Sequence, residues 1–482
     1  MSWEPVIGLE VHCQLETKSK LFSACPVEIG AAPNTRTDPY TWGMPGTLPV
    51  PNEQAVRFAI ALALATGCTI APRSRFARKH YFYPDLPKGF QITQSDEPYA
   101  TGGSIEVPGA TTADGGPVRV RLTRIHLEED AGKTIHGGSR SLVDYNRAGA
   151  PLVEIVSEPD LRSAEHAAAY VRELRTIVRT LGISRANMEE GTLRCDANVS
   201  LRRPGDATLG TRCEIKNVNS FRFLARAIES EIRRQADLLE RGEPVVQATL
   251  GYDGERDRLR VMRTKEYAAD YRYLPEPDLP PLSISSAWVA EVRAAMPELP
   301  ATRRARWIAD GVAEADAFLF ASERDLSDYF EAVVVAAGRA RAKKAASWVA
   351  VELLGRLNAD GRAIADSPLV PAALAELVVL TDDGTISGRT AKDVFARAWA
   401  GEGTPRSIVE REGLTQVSDT AVIEAAIAEA LAENPKQLAQ LRAGKDALRG
   451  FFVGQVMKKT KGQANPQVVA ELLDAALGKG DA

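Results

Sequence analysis

The segment VIGLEVHCQL, residues 6–15, carries side chains that can bind a metal ion or a polar ligand at every second position. Glu10, His12 and Gln14 alternate with apolar residues, a pattern typical of a β-strand with one buried face. An outer surface strand more often carries Lys, Thr or Ser. The row therefore predicts a ligand site on the polar face of this strand, with an ordinary solvated face as the alternative.

Further acidic residues lie in other strand-like segments. Glu128 follows an apolar run in RIHLEEDAGK, and Glu154 lies among apolar residues in PLVEIV. Burial of such a carboxylate is costly without a cation or hydrogen-bond donors, so a structural salt bridge is the alternative to a ligand role. Asp196 belongs to the alternating run 192–201, which predicts an antiparallel hairpin with 211–217. Cross-strand ion pairs would also explain the charged face of this hairpin.

These residues form a candidate site that is rich in oxygen ligands and contains one imidazole. Hard oxygen ligands suit Mg²⁺, Mn²⁺ or Ca²⁺ better than Zn²⁺. The candidate metal ligands and catalytic residues are Glu10, His12, Glu128, Glu154 and Asp196.

The elements that would position this site change character along the chain. Strands and turns alternate with helical patterns near residues 52–66, 163–181 and 220–241. Proline marks the main boundary, because 23 of the 28 prolines precede residue 301. Beyond it the chain is rich in Ala, Glu and Arg, with apolar residues at helical spacing. A second break surrounds the glycines and proline of 401–405.

Composition excludes several classes of protein. The 482 residues are 44% hydrophobic and 26% charged, as in a globular protein of two or more domains. The net charge of -4 gives no overall basic excess, so a nucleic-acid surface would have to be local. Five cysteines without a CxxC pair and no visible signal peptide predict a cytoplasmic protein with reduced thiols. The longest uncharged apolar stretch, 58–72, is too short to cross a membrane.

Two common catalytic motifs are incomplete. AGKT at 131–134 resembles the end of a phosphate-binding P-loop, but Leu127 stands where that motif requires glycine. HGGSRS at 136–141 lacks the GxSxG pattern of a nucleophile elbow. Any use of ATP would therefore depend on a less common, metal-centred site.

Several segments resemble one family. The run VDYNRAGAPLVEIVSEP, residues 143–159, resembles the signature of the B subunits of glutamyl/aspartyl-tRNA amidotransferases. Six further segments are similar to the same family and extend the resemblance over essentially the whole chain. They are IGLEVHCQL (7–15), KHYFYPDLPKGFQITQ (79–94), HLEEDAGK (126–133), CEIKNVNSF (213–221), RTKEYAADYRYLPEPDLPP (263–281) and GQVMKKTKGQANP (454–466).

The resemblance implies an α+β architecture and a ligase activity. An antiparallel-sheet cradle domain over 1–293 would carry the kinase and transamidase site, followed by an all-α helical domain over 294–405 and a small helical tail domain over 406–482. The cradle would use ATP and Mg²⁺ to phosphorylate the side-chain carboxylate of misacylated Glu-tRNA(Gln) or Asp-tRNA(Asn). Ammonia would then displace phosphate and give Gln-tRNA(Gln) or Asn-tRNA(Asn).

Site residues are carried over from the family one by one. The five candidates above match its metal and phosphoryl-transfer positions, and ATP is expected near Glu10, Glu128 and Asp196. Lys79, Tyr81 and Lys88 are similar to residues that face the family's ammonia path, with an ordinary surface loop as the alternative. Some members carry a CxxC zinc pair, but the corresponding stretch here is Asp-Pro-Tyr-Thr, so no zinc is predicted.

Partners are implied by the same resemblance. The chain would work as a heterotrimer with a glutaminase of the amidase family, the A subunit, and a small third protein, the C subunit. Its tail has seven basic residues and one acid between 436 and 461, which predicts contact with tRNA phosphates, against a solvated helix face as the alternative. The basic residues are Lys436, Arg442, Lys445, Arg449, Lys458, Lys459 and Lys461.

Two other classes of function fit an acid-rich site. One is a metal-dependent phosphatase or nuclease, which would hydrolyse its substrate without glutamine. The other is a tRNA-binding scaffold, which would bind tRNA without ATP turnover in the assembled complex.

Overall fold

The computed structural model divides the chain into two compact units, Met1–Arg303 and Arg304–Ala482. It describes residues 3–94, 96–112, 114–138, 140–254, 256–264, 271–415, 420–460, 464 and 466–478. The predicted tRNA contact Lys461 lies outside the described residues.

The first unit is built on β-strands. In chain order they are β1 (Glu4–Gln14), β2 (Thr69–Ile70), β3 (Arg73–Ser74), β4 (Ala77–His80), β5 (Phe90–Thr93), β6 (Ala100–Thr101), β7 (Ser104–Thr111), β8 (Pro117–Glu129), β9 (Lys133–Gly137), β10 (Arg140–Asp144), β11 (Pro151–Ser157), β12 (Leu193–Arg202), β13 (Cys213–Val218), β14 (Ala248–Asp253), β15 (Arg258–Thr264), β16 (Leu274–Pro275) and β17 (Leu282–Ser283).

Ten of these strands form one sheet. Its order is β15-β14-β13-β12-β1-β11-β8-β6-β2, with β7 also paired to β8. Among the described strands of this sheet, neighbours run antiparallel except for the parallel pair β13 and β14. The predicted hairpin is confirmed, because β12 pairs antiparallel with β13. The strand ahead of the acids of 128–130 is longer than the sequence indicated, since β8 continues through Glu129.

Helices cover one side of this sheet and make up the second unit. They are α1 (Glu53–Ala65), α2 (Ala164–Thr180), α3 (Phe221–Glu240), α4 (Ser286–Ala295), α5 (Pro300–Ala309), α6 (Glu314–Ala321), α7 (Arg324–Ala337), α8 (Ala342–Ser347), α9 (Leu354–Asp360), α10 (Pro371–Asp382), α11 (Gly388–Trp399), α12 (Pro405–Glu412), α13 (Thr420–Glu433), α14 (Pro435–Arg442), α15 (Leu448–Lys459) and α16 (Pro466–Gly478). A π-helical segment, Trp348–Leu353, joins α8 to α9.

Polar side chains fix where the first three helices begin. Asn52, Ser163 and Ser220 each accept a hydrogen bond from the backbone N–H three residues further on. Such caps satisfy N–H groups that have no partner within the helix. The three helices predicted near 52–66, 163–181 and 220–241 are confirmed.

The apolar face of β1 lies in the core of the first unit. Ile7, Leu9, Val11 and Cys13 are buried in one cluster that includes Tyr170 of α2. Because successive residues of a strand point to opposite faces, Glu10 and His12 project to the other side of the sheet. The core thus determines which face of the sheet carries the polar row.

The second unit is helical and contains two apolar clusters. One includes Trp307, Phe330 and Ile408, and the other includes Phe452 and Val456. A sheet unit followed by helices confirms the predicted α+β class, while the domain boundaries near 293 and 405 stay predictions.

Candidate functional site

The polar face of the sheet brings together residues from three strands. His12 on β1 lies opposite Glu154 on β11, and Glu154 lies opposite His126 on β8. Glu128 follows His126 by two positions and therefore projects to the same face. Gly149, whose φ of 81° suits glycine, donates its N–H to the carbonyl of Asp130 and fixes the turn that leads into β11.

Three of the five predicted ligands meet in this cluster. Nε2 of His12 lies 3.6 Å from Oε1 of Glu128 and 3.4 Å from Oε2 of Glu154. Nε2 of His126 lies 3.3 Å from the same Glu154 oxygen and 3.7 Å from Oε2 of Glu128. Each buried carboxylate is therefore shared between two imidazoles. His126 was not among the predicted ligands, although its spacing of two from Glu128 on an alternating strand was an available signal.

Burial and charge pairing act in opposite directions on these groups. Burial alone lowers the pKa of His12 and His126, but contacts with Glu154 and Glu128 outweigh it. The pKa of His12 is raised, and that of His126 is raised to about 9. Burial would raise the pKa of Glu154, but the charge of His126 and hydrogen bonds from both imidazoles hold it well below its usual range. The carboxylates are thus kept ionised, the state in which they bind a cation, and a cation that also binds His12 must displace the proton of that imidazole.

The cluster fits a divalent cation. One ligand atom from each of His12, Glu128 and Glu154 lies within 4.8 Å of the others. Two ionised carboxylates make the set rich in hard oxygen, which suits Mg²⁺ or Mn²⁺, while an imidazole also suits transition metals. Nδ1 of His126 is buried and has no hydrogen-bond partner among the described residues, and the raised pKa of this imidazole makes it a proton carrier beside the two carboxylates rather than a metal ligand.

Glu10 and Asp196 lie beside this cluster rather than in it. They are directly opposite each other on β1 and β12. Oε1 of Glu10 accepts a hydrogen bond from Nδ2 of Asn198 at 2.9 Å. Asp196 is 2.5 Å from Nζ of Lys216, which also lies 3.0 Å from Glu214. Burial would lower the pKa of Lys216, but the charge of Asp196 raises it, so this ammonium stays charged.

A cavity of about 890 Å³ is lined by His12 and Glu128 of the cluster and by Asp196 and Lys216 beside it. Its lining includes both acidic and basic side chains, which can form charge-assisted hydrogen bonds with a charged ligand. The lining residues most relevant to chemistry are His12, Lys79, Tyr81, Glu128, Arg194, Asp196 and Lys216.

The three residues predicted to face an ammonia path have different surroundings. Lys79 and Tyr81 line the cavity, and Nζ of Lys79 lies 4.9 Å from the ring centroid of Tyr271. Burial would lower the pKa of Lys79, but the negative charge of Glu128 leads the effects that raise it. Lys88 instead forms an ion pair with buried Glu129 and donates a hydrogen bond to the hydroxyl of Tyr40 at 3.0 Å.

The predicted tRNA contacts other than Lys461 lie on α14, α15 and the turn between them. Lys436, Arg442, Lys445 and Lys458 are exposed. Arg449 is also exposed but lies 3.3 Å from Asp474.

Lys459 differs from the exposed cations because it is half-buried and doubly paired. Its Nζ lies 3.1 Å from Glu429 and 2.7 Å from Glu433. The exposed cations are therefore better suited than Lys459 to meet a polyanion.

The fold and this site define an α+β protein with an acid-rich pocket on one face of a sheet. Residues 5–290 match the family described as GatB/GatE catalytic domain, and residues 328–477 match the family described as GatB domain. In the described part of the chain, no helix is long and apolar enough to cross a membrane.

Full-length relatives agree with both matches. The chain is 53% identical over 480 residues to the B subunit of the aspartyl/glutamyl-tRNA(Asn/Gln) amidotransferase of Halorhodospira halophila, covering 99% of each chain. It is 52% identical to the protein of the same name from Alkalilimnicola ehrlichii, covering 99% of this chain and 100% of that one. The relative in Geobacter sulfurreducens is also 52% identical, over 98% of this chain and 99% of that one. The chain belongs to the GatB family of tRNA amidotransferase subunits, which confirms the resemblance found in the sequence.

Proposed function

We propose that this chain is the ATP-dependent subunit of a glutamine-dependent tRNA amidotransferase. It phosphorylates the side-chain carboxylate of Glu-tRNA(Gln) or Asp-tRNA(Asn) and transfers ammonia to the activated carbonyl. The observation that carries the proposal is the cluster of His12, Glu128 and Glu154, two of which line the cavity, in a chain that belongs to the GatB family. The names of the relatives support the same reaction.

The chemistry needs an activated carboxylate. A carboxylate oxygen is a poor leaving group, so direct attack by ammonia does not proceed, whereas phosphate leaves readily from an acyl phosphate. Oxygen of the carboxylate attacks the γ-phosphorus of ATP, and the bond from that phosphorus to the β-phosphate oxygen breaks. Ammonia then adds to the carbonyl carbon, loses a proton and expels inorganic phosphate.

The chain's own residues organise these steps. His12, Glu128 and Glu154 would hold Mg²⁺, which supplies positive charge that offsets the repulsion between triphosphate and carboxylate. Glu10 and Asp196 extend the acidic face along β1 and β12, and we assign them to the same ATP- and metal-binding region. Lys216 holds Asp196 in place through their ion pair.

Lys79 and Tyr81 are suited to the route by which ammonia enters. Both line the cavity, and the charge of the Lys79 ammonium opposes the entry of ammonium ion more than that of neutral ammonia. Lys88 supports this region through its pair with Glu129, although that pair alone also explains why a lysine is buried there.

Partners complete the reaction. The chain has no GxSxG or similar nucleophile motif for glutamine hydrolysis, so a glutaminase of the amidase family and a small third subunit would supply ammonia within a cytoplasmic heterotrimer. The exposed cations of α14 and α15 would contact the tRNA body, with Lys436, Arg442 and Lys445 carrying most of the phosphate contacts.

Amidation by the assembled complex tests the proposal. With Glu-tRNA(Gln), ATP, Mg²⁺ and glutamine, wild type should form Gln-tRNA(Gln), whereas Glu128→Ala and Asp196→Ala should form neither acyl phosphate nor product. Glu106→Ala is the matched control, because Glu106 is an exposed strand carboxylate paired with Arg119 at the surface. Hydrolysis of tRNA or ATP without amide formation would favour a nuclease or phosphatase, and tRNA binding without ATP turnover would favour a scaffold.

A further inference from the structure

Arg194 stands at the junction of the two acidic groups of the site. It is the partner of His12 in the pairing of β1 with β12, and Asp196 follows it by two positions on the same face. Glu10 is in turn opposite Asp196. Arg194 therefore lies beside His12 on the polar face, its guanidinium reaches Asp130 beyond Glu128, and the residue lines the cavity with His12, Glu128 and Asp196.

One side of the Arg194 guanidinium is anchored. Nη2 donates a hydrogen bond to Oδ2 of Asp130 at 2.8 Å. Asp130 is only 3% exposed and lies 3.4 Å from Nε of Arg147. Arg147 also donates to the carbonyls of Ala131 and Gly132. The anchor is thus a buried carboxylate that is itself held by a second, backbone-bound arginine.

The Arg194 guanidinium has further N–H donors besides the one that contacts Asp130. An arginine carries five N–H donors in a planar fork, and Asp130 takes one of them. Nε of Arg194 is buried and has no hydrogen-bond partner among the described residues. A buried N–H without a partner is costly, so the site is incomplete until an acceptor meets it. About a third of the side chain is exposed and it lines the cavity, so an acceptor in the cavity can reach the guanidinium.

We propose that Arg194 binds the oxygens of the γ-phosphoryl group during its transfer from ATP to the carboxylate. This inference rests on the proposed function and adds a group that contacts the transferred phosphoryl. The fork of a guanidinium matches two phosphoryl oxygens, and negative charge spreads over those oxygens in the transition state. Asp130 is a positioning residue, because it orients the guanidinium without contacting the substrate.

The test measures transfer of ³²P from γ-labelled ATP to Glu-tRNA in a single turnover of the assembled complex without an amide donor. Arg194→Ala should slow acyl-phosphate formation by about 100- to 1000-fold, the usual cost of losing one preorganised donor. Arg194→Lys should recover only part of the rate, because an ammonium cannot form the fork. Added methylguanidinium should accelerate Arg194→Ala and leave Arg194→Lys unchanged.

Arg202→Ala is the matched control for these variants. Arg202 lies on the same strand and is also ion-paired, with Nε 2.5 Å from Oε2 of Glu4. It should keep the wild-type transfer rate, and thermal unfolding should show that both alanine variants are folded. Rescue of Arg194→Ala by methylguanidinium would separate a chemical role from a loss of packing.

Three results would overturn this role for Arg194. A wild-type transfer rate in Arg194→Ala would exclude it while leaving the proposed function intact. A higher KM for Glu-tRNA with unchanged kcat would assign Arg194 to binding of the substrate carboxylate instead. Failure of the wild-type complex to form any acyl phosphate would overturn the proposed function, and the role of Arg194 with it.

Discussion

His12 and Glu154 are directly opposite each other on adjacent strands, and Nε2 of His12 lies 3.4 Å from Oε2 of Glu154. The backbone hydrogen bonds of β1 and β11 fix this separation, so it does not depend on a mobile loop. Sites on strands hold their ligands in place better than sites on loops. A cation held by His12, Glu128 and Glu154 would therefore meet a preformed set of ligands.

Metal binding should depend on the carboxylates of this cluster. Glu154→Gln should weaken Mn²⁺ binding by more than the roughly 10- to 100-fold that outer-shell changes cost, because it removes a charged ligand directly. Isothermal titration calorimetry with MnCl₂ on the purified chain measures this. Glu106→Gln, which changes an exposed carboxylate on β7, should bind Mn²⁺ like wild type. Equal affinity in wild type and Glu154→Gln would remove Glu154 from the metal site.

Lys79 should matter for ammonia derived from glutamine. Lys79→Met removes a cation from the cavity wall and should lower glutamine-dependent amidation by about tenfold, which corresponds to about 1.4 kcal/mol in the barrier. Amidation with added ammonium chloride should be affected less, because free ammonia does not need to follow the route from the glutaminase. The ratio of the two rates is the readout, and an unchanged ratio would place Lys79 outside the ammonia path.

The tail cations should set the salt dependence of tRNA binding. Replacing Lys436, Arg442 and Lys445 with Ala should flatten the plot of log Kd against log salt by about two to three units, since fewer counterions are released when phosphate contacts are lost. Filter binding of charged tRNA at several salt concentrations measures the slope. Lys459→Ala is the control, because Glu429 and Glu433 already pair with that ammonium. A slope that stays at the wild-type value would argue against a tRNA surface here.

Stability should fall in alkaline solution because a buried thiol resists ionisation. Burial raises the pKa of Cys13 from 9.0 to about 12. The unfolded chain loses this proton first, so the contribution is complete below pH 9 and is lost as pH rises from 9 toward 12. Each such group lowers the free energy of unfolding by up to about 1.4 kcal/mol per pH unit in that window.

Urea unfolding of wild type and Cys13→Ala across this window isolates the effect of the Cys13 thiol. The variant should lose stability less steeply with pH, by the equivalent of about one proton. Parallel pH profiles for the two proteins would show that Cys13 does not titrate on unfolding.

The sequence predicted the faces of the strands better than the neighbours of each side chain. Alternation in 6–15 placed Glu10 and His12 on the face opposite the core, as the structure confirms. It could not predict that β11 lies between β1 and β8, which is why Glu154 meets both His12 and His126. Strand order is set by tertiary packing of distant segments, and no local pattern encodes it.

The sequence of a single segment also could not predict the role of each cation within it. Lys79 and Lys88 lie in the same short run of the sequence, yet Lys79 faces the cavity and Lys88 pairs with Glu129. The sequence showed Arg194 only as one member of a charged strand face. Its partner Asp130 directly follows β8, a strand distant in sequence, so their ion pair could not be predicted. Ion pairs between distant segments depend on where the chain folds back, so the structure is needed to identify them.

In the proposed reaction, ATP phosphorylates the side-chain carboxylate of the glutamate that is attached to tRNA. The most direct test follows one oxygen atom from that carboxylate to inorganic phosphate. Glu-tRNA(Gln) labelled with ¹⁸O in the side-chain carboxylate should yield inorganic phosphate that carries one ¹⁸O atom when the assembled complex makes Gln-tRNA(Gln). Mass spectrometry of the released phosphate measures the label. Amidation with no ¹⁸O in the phosphate would contradict an acyl-phosphate route and, with it, the function assigned to this site.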